Sequence, residues 1–112
     1  MSLGVARLND SIEGFTSGEH SGHLASHSHI PITGEISGSC SPNVFVNDKP
    51  IAVLGSVTTE HDSCCGTSYG KVAKTSTTVF ANNIGVARTT DTVQPHNGTA
   101  HIVGCSPNVF AD

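Results

Sequence analysis

SPNVFVNDKPIAVLG, residues 41–55, holds two short apolar arms, Val44-Phe45-Val46 and Ile51-Ala52-Val53-Leu54, on either side of Asn47-Asp48-Lys49-Pro50. β-Branched and aromatic residues flanking an Asn-Asp pair predict a β-hairpin, because Asn and Asp tolerate the left-handed backbone of a tight turn. The same pattern recurs in STTVFANNIGVARTTD, residues 76–91. There Val79-Phe80 aligns with Val44-Phe45, Asn82-Asn83 with Asn47-Asp48, and Val86-Ala87 with Ile51-Ala52. A third first arm, SPNVF at 106–110, runs into Ala111-Asp112 and stops at the turn. Its second arm lies at the other end of the chain, where LGVARLND at 3–10 aligns with IGVARTTD at 84–91. Three copies of one hairpin are therefore expected, the third split between the chain ends, with 106–111 antiparallel to 3–8.

The remaining composition agrees with an all-β chain. Twelve glycines, abundant Ser and Thr, and short apolar runs broken by turn residues leave no window with a sustained helical period. At 112 residues the chain is read as one domain, 1–112, with a modest core. A formal net charge of −4 and only five Lys and Arg argue against nucleic acid or an anionic membrane as the main partner. No run is long and apolar enough for a signal peptide or a membrane span. Reduced thiols, used in packing or on a metal, are expected for the four cysteines.

Between the hairpins lie three connections of unequal length, read as irregular loops. The longest, 11–33, is rich in Ser, Gly and His; the others run from about 56 to 69 and from 91 to 101. Short strands near 34–39, 71–74 and 101–104 are expected to lead back into the next hairpin. His61 stands five positions after Ser56, and His96 five after Asp91, so the two share a repeat position. The first loop offers His20, His23, His27 and His29, of which His29 is nearest the returning strand. Cys64 and Cys65 follow His61, and Cys65 is preferred because Gly66 permits a close turn. One histidine from each loop with one thiolate would make a tetrahedral set suited to zinc, with iron as the alternative. The expected ligands are His29, His61, Cys65 and His96.

Cys40 and Cys105 both precede Ser-Pro-Asn, where the third copy has Thr75; a slot that accepts Cys and Thr reads as a small packed site. Asn43, Thr78 and Asn108 share a position ahead of Val-Phe and are expected to bond local backbone. Phe45, Phe80 and Phe110 also share a position, and strand alternation leaves open whether they form the core or an apolar ring on one face.

Repeated S-P-x-V-F hairpins with His and Cys in the connections resemble the PAAR-repeat family. The tetrad that names it reads PIAV at 50–53, GVAR at 85–88 and GVAR at 4–7, with Ala52, Ala87 and Ala6 in the third place. The Gly-Asp that usually follows appears as Gly55-Ser56, Thr90-Asp91 and Asn9-Asp10. These departures mark a divergent member. The resemblance implies a small conical, pseudo-threefold arrangement of three β-hairpins with metal-pinned loops at the apex. It also implies a structural, non-enzymatic role as the membrane-piercing tip that caps the C-terminal end of a trimeric β-helical spike, one chain per trimer. Contact with the target-cell membrane would be transient. Because the last arm stops at Asp112, a phage tail-spike tip in the virion is expected ahead of a type VI secretion tip. A zinc-dependent enzyme, with a metal position left open or with Cys65 and His61 as nucleophile and base, is the rival from another class.

Overall fold

A computed structural model describes residues 2–15, 31–62, 66–95 and 98–112. Their regular elements are all strands: β1 (Leu3–Gly4), β2 (Ser11–Phe15), β3 (Pro31–Gly38), β4 (Phe45–Val46), β5 (Lys49–Pro50), β6 (Val57–Asp62), β7 (Gly66–Val72), β8 (Phe80–Ala81), β9 (Ile84–Gly85), β10 (Thr92–Gln94), β11 (Thr99–Ile102) and β12 (Phe110–Ala111).

The hairpins form as the turn chemistry requires. β4 pairs β5 with Phe45 opposite Pro50 and Val46 opposite Lys49; β8 pairs β9 with Phe80 opposite Gly85 and Ala81 opposite Ile84. At the turns Asn47, Asp48, Asn82 and Asn83 have φ of 53°, 66°, 52° and 67°. Two consecutive left-handed residues make the turn whose twist matches that of the strands. The split copy has the same register: β12 pairs β1 with Phe110 opposite Gly4 and Ala111 opposite Leu3. Ser2 Oγ donates to Asp112 Oδ1 at 2.7 Å, so the two chain ends fill the turn that the other copies build from consecutive residues.

The second arms meet through a closed loop of hydrogen bonds. The Ala6 amide donates to the Ala87 carbonyl, Ala87 to Ala52, and Ala52 to Ala6, each at 2.9 Å. All three alanines are fully buried, and a larger side chain would push these backbones apart. Below them the inward side chains Val5, Val46, Ile51, Val53, Ala81, Val86 and Ala111 form one core cluster. Each second arm then turns a corner. The amides of Asp10, Ser56 and Asp91 donate to the carbonyls three residues back, with Asn9, Gly55 and Thr90 at φ of 75°, 87° and 72°.

Past the corners the structure departs from the sequence reading. The connections read as irregular loops carry strands β2, β3, β6, β7, β10 and β11, which close an antiparallel barrel in the order β10-β11-β2-β3-β6-β7. The expected short strands at 34–39, 71–74 and 101–104 are the inner ends of β3, β7 and β11. Alternation hid these strands because the barrel's inward positions are not uniformly apolar. Ile12, Ile32, Ile36, Val72, Val93, Ala100 and Ile102 are buried, but so are Thr58 and Glu60, and glycines occupy other inward places. A Cβ at Gly34 would lie 2.0 Å from the Thr59 carbonyl oxygen, so β3 and β6 approach too closely there for any side chain. One asymmetry is local: the return from Ile36 to Ser41 is a residue longer than its counterparts, and β3 absorbs it as an irregularity against β6 between Ile36 and Gly38.

Candidate functional site

The hairpins are joined edge to end by polar seams that the sequence reading missed. Ser41, Ser76 and Ser106, all buried, accept hydrogen bonds from the amides two and three residues on. These serines do the local capping expected of Asn43, Thr78 and Asn108, and that expectation is corrected. Asn43, Thr78 and Asn108 reach instead to the turn of a neighbouring hairpin. Asn82 Nδ2 donates to Asn43 Oδ1 at 2.7 Å, and Asn47 Nδ2 to Asn108 Oδ1 at 3.0 Å. At the third seam Ser76 Oγ and Thr78 Oγ1 donate to the backbone carbonyl oxygen of Asp112. Donor and acceptor have exchanged sides there: a hydroxyl replaces the amide oxygen, and a carbonyl replaces the amide nitrogen. The signal available in the sequence was a Ser three residues ahead of each Val-Phe.

The corners are held by ion pairs in two copies and by a hydroxyl in the third. Asp10 takes the Arg7 Nε and Nη2 at 2.9 Å each and the Arg7 amide at 2.8 Å. Asp91 takes Arg88 in the same way, at 2.9, 2.8 and 2.9 Å. Forked pairing of this kind is strong because both N–H groups are aligned on one carboxylate. The hydrogen bond to each aspartate raises its arginine above the ordinary guanidinium value, and burial opposes this in part. In the remaining copy Val53 replaces Arg, and Ser56 Oγ accepts the Val53 amide at 2.9 Å. The departure at Gly55-Ser56 is therefore matched by loss of the arginine that an aspartate would have held.

Cys40 and Cys105 are free and half-buried. Cys40 packs against the barrel-side core, and Cys105 Sγ lies over Gly4 where Thr75 Oγ1 lies over Gly85, as expected of a small packed slot. Burial raises the Cys40 thiol above its ordinary value, and the Ser56 hydroxyl opposes this in part.

The three phenylalanines are not core. Phe45, Phe80 and Phe110 are 57, 57 and 58% exposed, on the face of each hairpin opposite the buried Val46, Ala81 and Ala111. Val79, Val109 and Ile84 are also exposed on these hairpins. Repeated large apolar side chains are thus exposed on one set of hairpins, a surface of the kind that partners cover.

Of the expected metal ligands, His29, Cys65 and His96 lie outside the described residues. The same holds for His20, His23, His27 and Cys64. His61 is described, near the outer end of β6. It alternates with buried Glu60 and faces outward, with Nε2 4.0 Å from Glu35 Oε1 and Nδ1 3.4 Å from Thr67 Oγ1. His101 is on the outer wall too, opposite Glu13 across the β11–β2 pair. Among the described residues no three His, Cys, Asp or Glu side chains gather to hold a metal. The described part of the chain therefore supplies at most one ligand of the expected set.

The PAAR motif matches residues 19–94, more than half of the chain, and the chain belongs to that family. Membership makes it a spike-tip protein of contractile injection machines, associated with a spike protein, in a family that binds metal and acts structurally. No curated protein and no solved structure matches it.

Proposed function

We propose that the chain is the pseudo-threefold, membrane-piercing tip that caps a trimeric β-helical spike, one chain per trimer. The observation that carries this reading is the recurrence of one exposed Phe, one turn and one seam in each of three hairpins linked by a closed loop of backbone bonds. Three near-equal surfaces on a single chain suit a partner that presents the same surface three times. Burying the remaining area of three half-exposed Phe rings would contribute roughly 3–5 kcal/mol before the costs of association. All 112 residues are read as one domain, in which the barrel hairpins lead away from the docking hairpins toward the proposed apex.

At that apex the chain would hold zinc, or iron, through His29, His61, Cys65 and His96. Histidine and thiolate are donors that suit zinc, and His61 sits close to the barrel end from which residues 63–65 continue. The metal would pin the connections together; no reaction is assigned to it. A virion tail tip is the preferred setting, ahead of a type VI secretion spike, with passing contact at the target membrane.

Native mass spectrometry of the chain with a trimeric spike fragment tests the reading. One chain per trimer is expected, with Phe45→Asp abolishing the complex and leaving bound metal unchanged. Three chains per trimer, or a complex indifferent to Phe45→Asp, would refute capping.

A further inference from the structure

The hydrogen-bond parity of the hairpins shows which backbone groups are left over. In each copy the second-arm amide bonds the first-arm carbonyl one residue before the Phe: Ile51 to Val44 and Val86 to Val79, at 2.9 and 3.1 Å, and Val5 to Val109 at 2.9 Å. In an antiparallel pair such bonds alternate, so Phe45, Phe80 and Phe110 stand at non-hydrogen-bonded sites opposite Pro50, Gly85 and Gly4. Their own N–H and C=O groups then point away from the second arm, across the free edge of the first.

The other edge of each hairpin is used. The carbonyls of Pro50, Gly85 and Gly4 accept the amides of Leu8, Leu54 and Thr89, at 2.9, 3.0 and 2.8 Å, so every second arm is bonded onward to a neighbouring copy. Among the described residues the first arms meet a neighbouring copy through the side-chain seams at Asn43, Thr78 and Asn108, and no backbone bond joins their outer edges to it. The amide and carbonyl of Phe45, Phe80 and Phe110 find no hydrogen-bond partner among the described residues. An edge of this kind is a template for another strand.

Resting on the capping reading, we infer that docking is by strand addition at these three edges. Each Phe offers one backbone donor and one acceptor to a strand edge of one spike chain, while its ring covers the flank of the new pair. The occupant is defined by its chemistry. It is a trimer that ends in three open β-strand edges, and its own unpaired N–H and C=O groups match a donor and an acceptor three times over. Backbone pairing supplies the geometry, and the Phe rings supply the apolar contact. A purely greasy cap would leave both sets of backbone groups without partners, at a cost that a matched edge removes. The turns and their flanks carry Asp48, Lys49 and Asp112, and Arg7 Nη1 donates to Asn47 Oδ1 at 3.0 Å.

The experiment is amide hydrogen exchange, followed by NMR, on the free chain and on its complex with a trimeric β-helical spike fragment. In the free chain the Phe45, Phe80 and Phe110 amides exchange quickly, and in the complex all three slow at least tenfold. A second measurement replaces the Phe80 amide by an ester, with phenyllactic acid in place of Phe80. The ring is kept and the Phe80 donor is lost. The Val79 carbonyl, which accepts the Val86 amide at 3.1 Å, becomes a weaker ester acceptor, so the unfolding of the free ester variant is measured beside its binding. Binding should weaken about tenfold, the usual scale for one backbone hydrogen bond. A one-to-one complex in which the three amides still exchange quickly, and the ester binds as tightly as the amide, overturns strand addition and leaves the capping reading standing. If no trimeric spike is bound at all, both fall.

Discussion

Thr90 carries a conformational burden that can be removed without touching a contact. Its φ of 72° places a β-branched residue in the left-handed region, at the corner position held elsewhere by Asn9 and Gly55. The steric cost for an L-residue there is roughly 1–2 kcal/mol, and it is highest with branching at Cβ. What Thr90 contributes is its backbone: the amide donates to the Ile102 carbonyl at 2.8 Å, while the side chain is exposed. Thr90→Asn keeps that bond and suits the conformation, so stability should rise by about 1 kcal/mol. Thr90→Gly removes the clash fully, but a freer unfolded chain takes back roughly 0.5–1 kcal/mol, and a smaller gain is expected. For a domain of this size the Asn change should lift Tm by about 4 °C. Thermal and urea unfolding of both variants, with Asn9→Thr as the reverse control at about 1 kcal/mol less stable, gives the answer. If both Thr90 variants are no more stable than the parent and Asn9→Thr is neutral, the corner is not strained and the argument is wrong.

Asp91→Ala should destabilise by about 3 kcal/mol in urea unfolding, because Arg88 loses its partner in a site that is only 12% exposed. Arg88→Val with Asp91→Ser, which copies the Val53-Ser56 corner, should recover most of that loss. Stability should fall as pH rises from about 9 toward the raised Cys40 value. The unfolded thiol ionises first there, and the folded one is still held neutral by burial. Cys40→Ala should flatten that alkaline slope in pH-dependent unfolding. Joining Asp112 to Ser2 and opening the chain between Asn47 and Asp48 should preserve the fold by circular dichroism, since the chain ends already occupy a turn that is closed by a 2.7 Å hydrogen bond.

The hairpins were legible because each carries its own turn chemistry, and three copies in one chain made the register checkable against itself. The split copy was legible for the same reason: LGVAR repeats IGVAR down to the glycine that lies beneath Cys105 or Thr75. The barrel was not legible. Its strands alternate in burial but not in hydropathy, since Thr58, Glu60, Gly14 and Gly34 face inward where Val or Ile would have announced a strand. Nor could alternation place Phe45, Phe80 and Phe110, because it separates the two faces without saying which one is wet. At the metal-ligand positions, a shared repeat position paired His61 with His96, and the fold adds only that His61 faces outward beside Glu35. The seams depend on which neighbour each turn meets, a long-range fact that no local pattern encodes.

The loop of bonds through Ala6, Ala52 and Ala87 changes how this repeat protein would come apart. A linear array of three units has two interfaces and two end units that fray, which is why open arrays need capping repeats. Joined head to tail, three units have three interfaces and no end unit. The first unit to loosen must give up two neighbours at once, so unfolding begins with its most expensive step. The backbone is severed only at a turn whose two sides are stitched to each other by Ser2 and Asp112 and to the next hairpin by Ser76 and Thr78. A chain with a beginning and an end is thereby given the cooperativity of one that has neither.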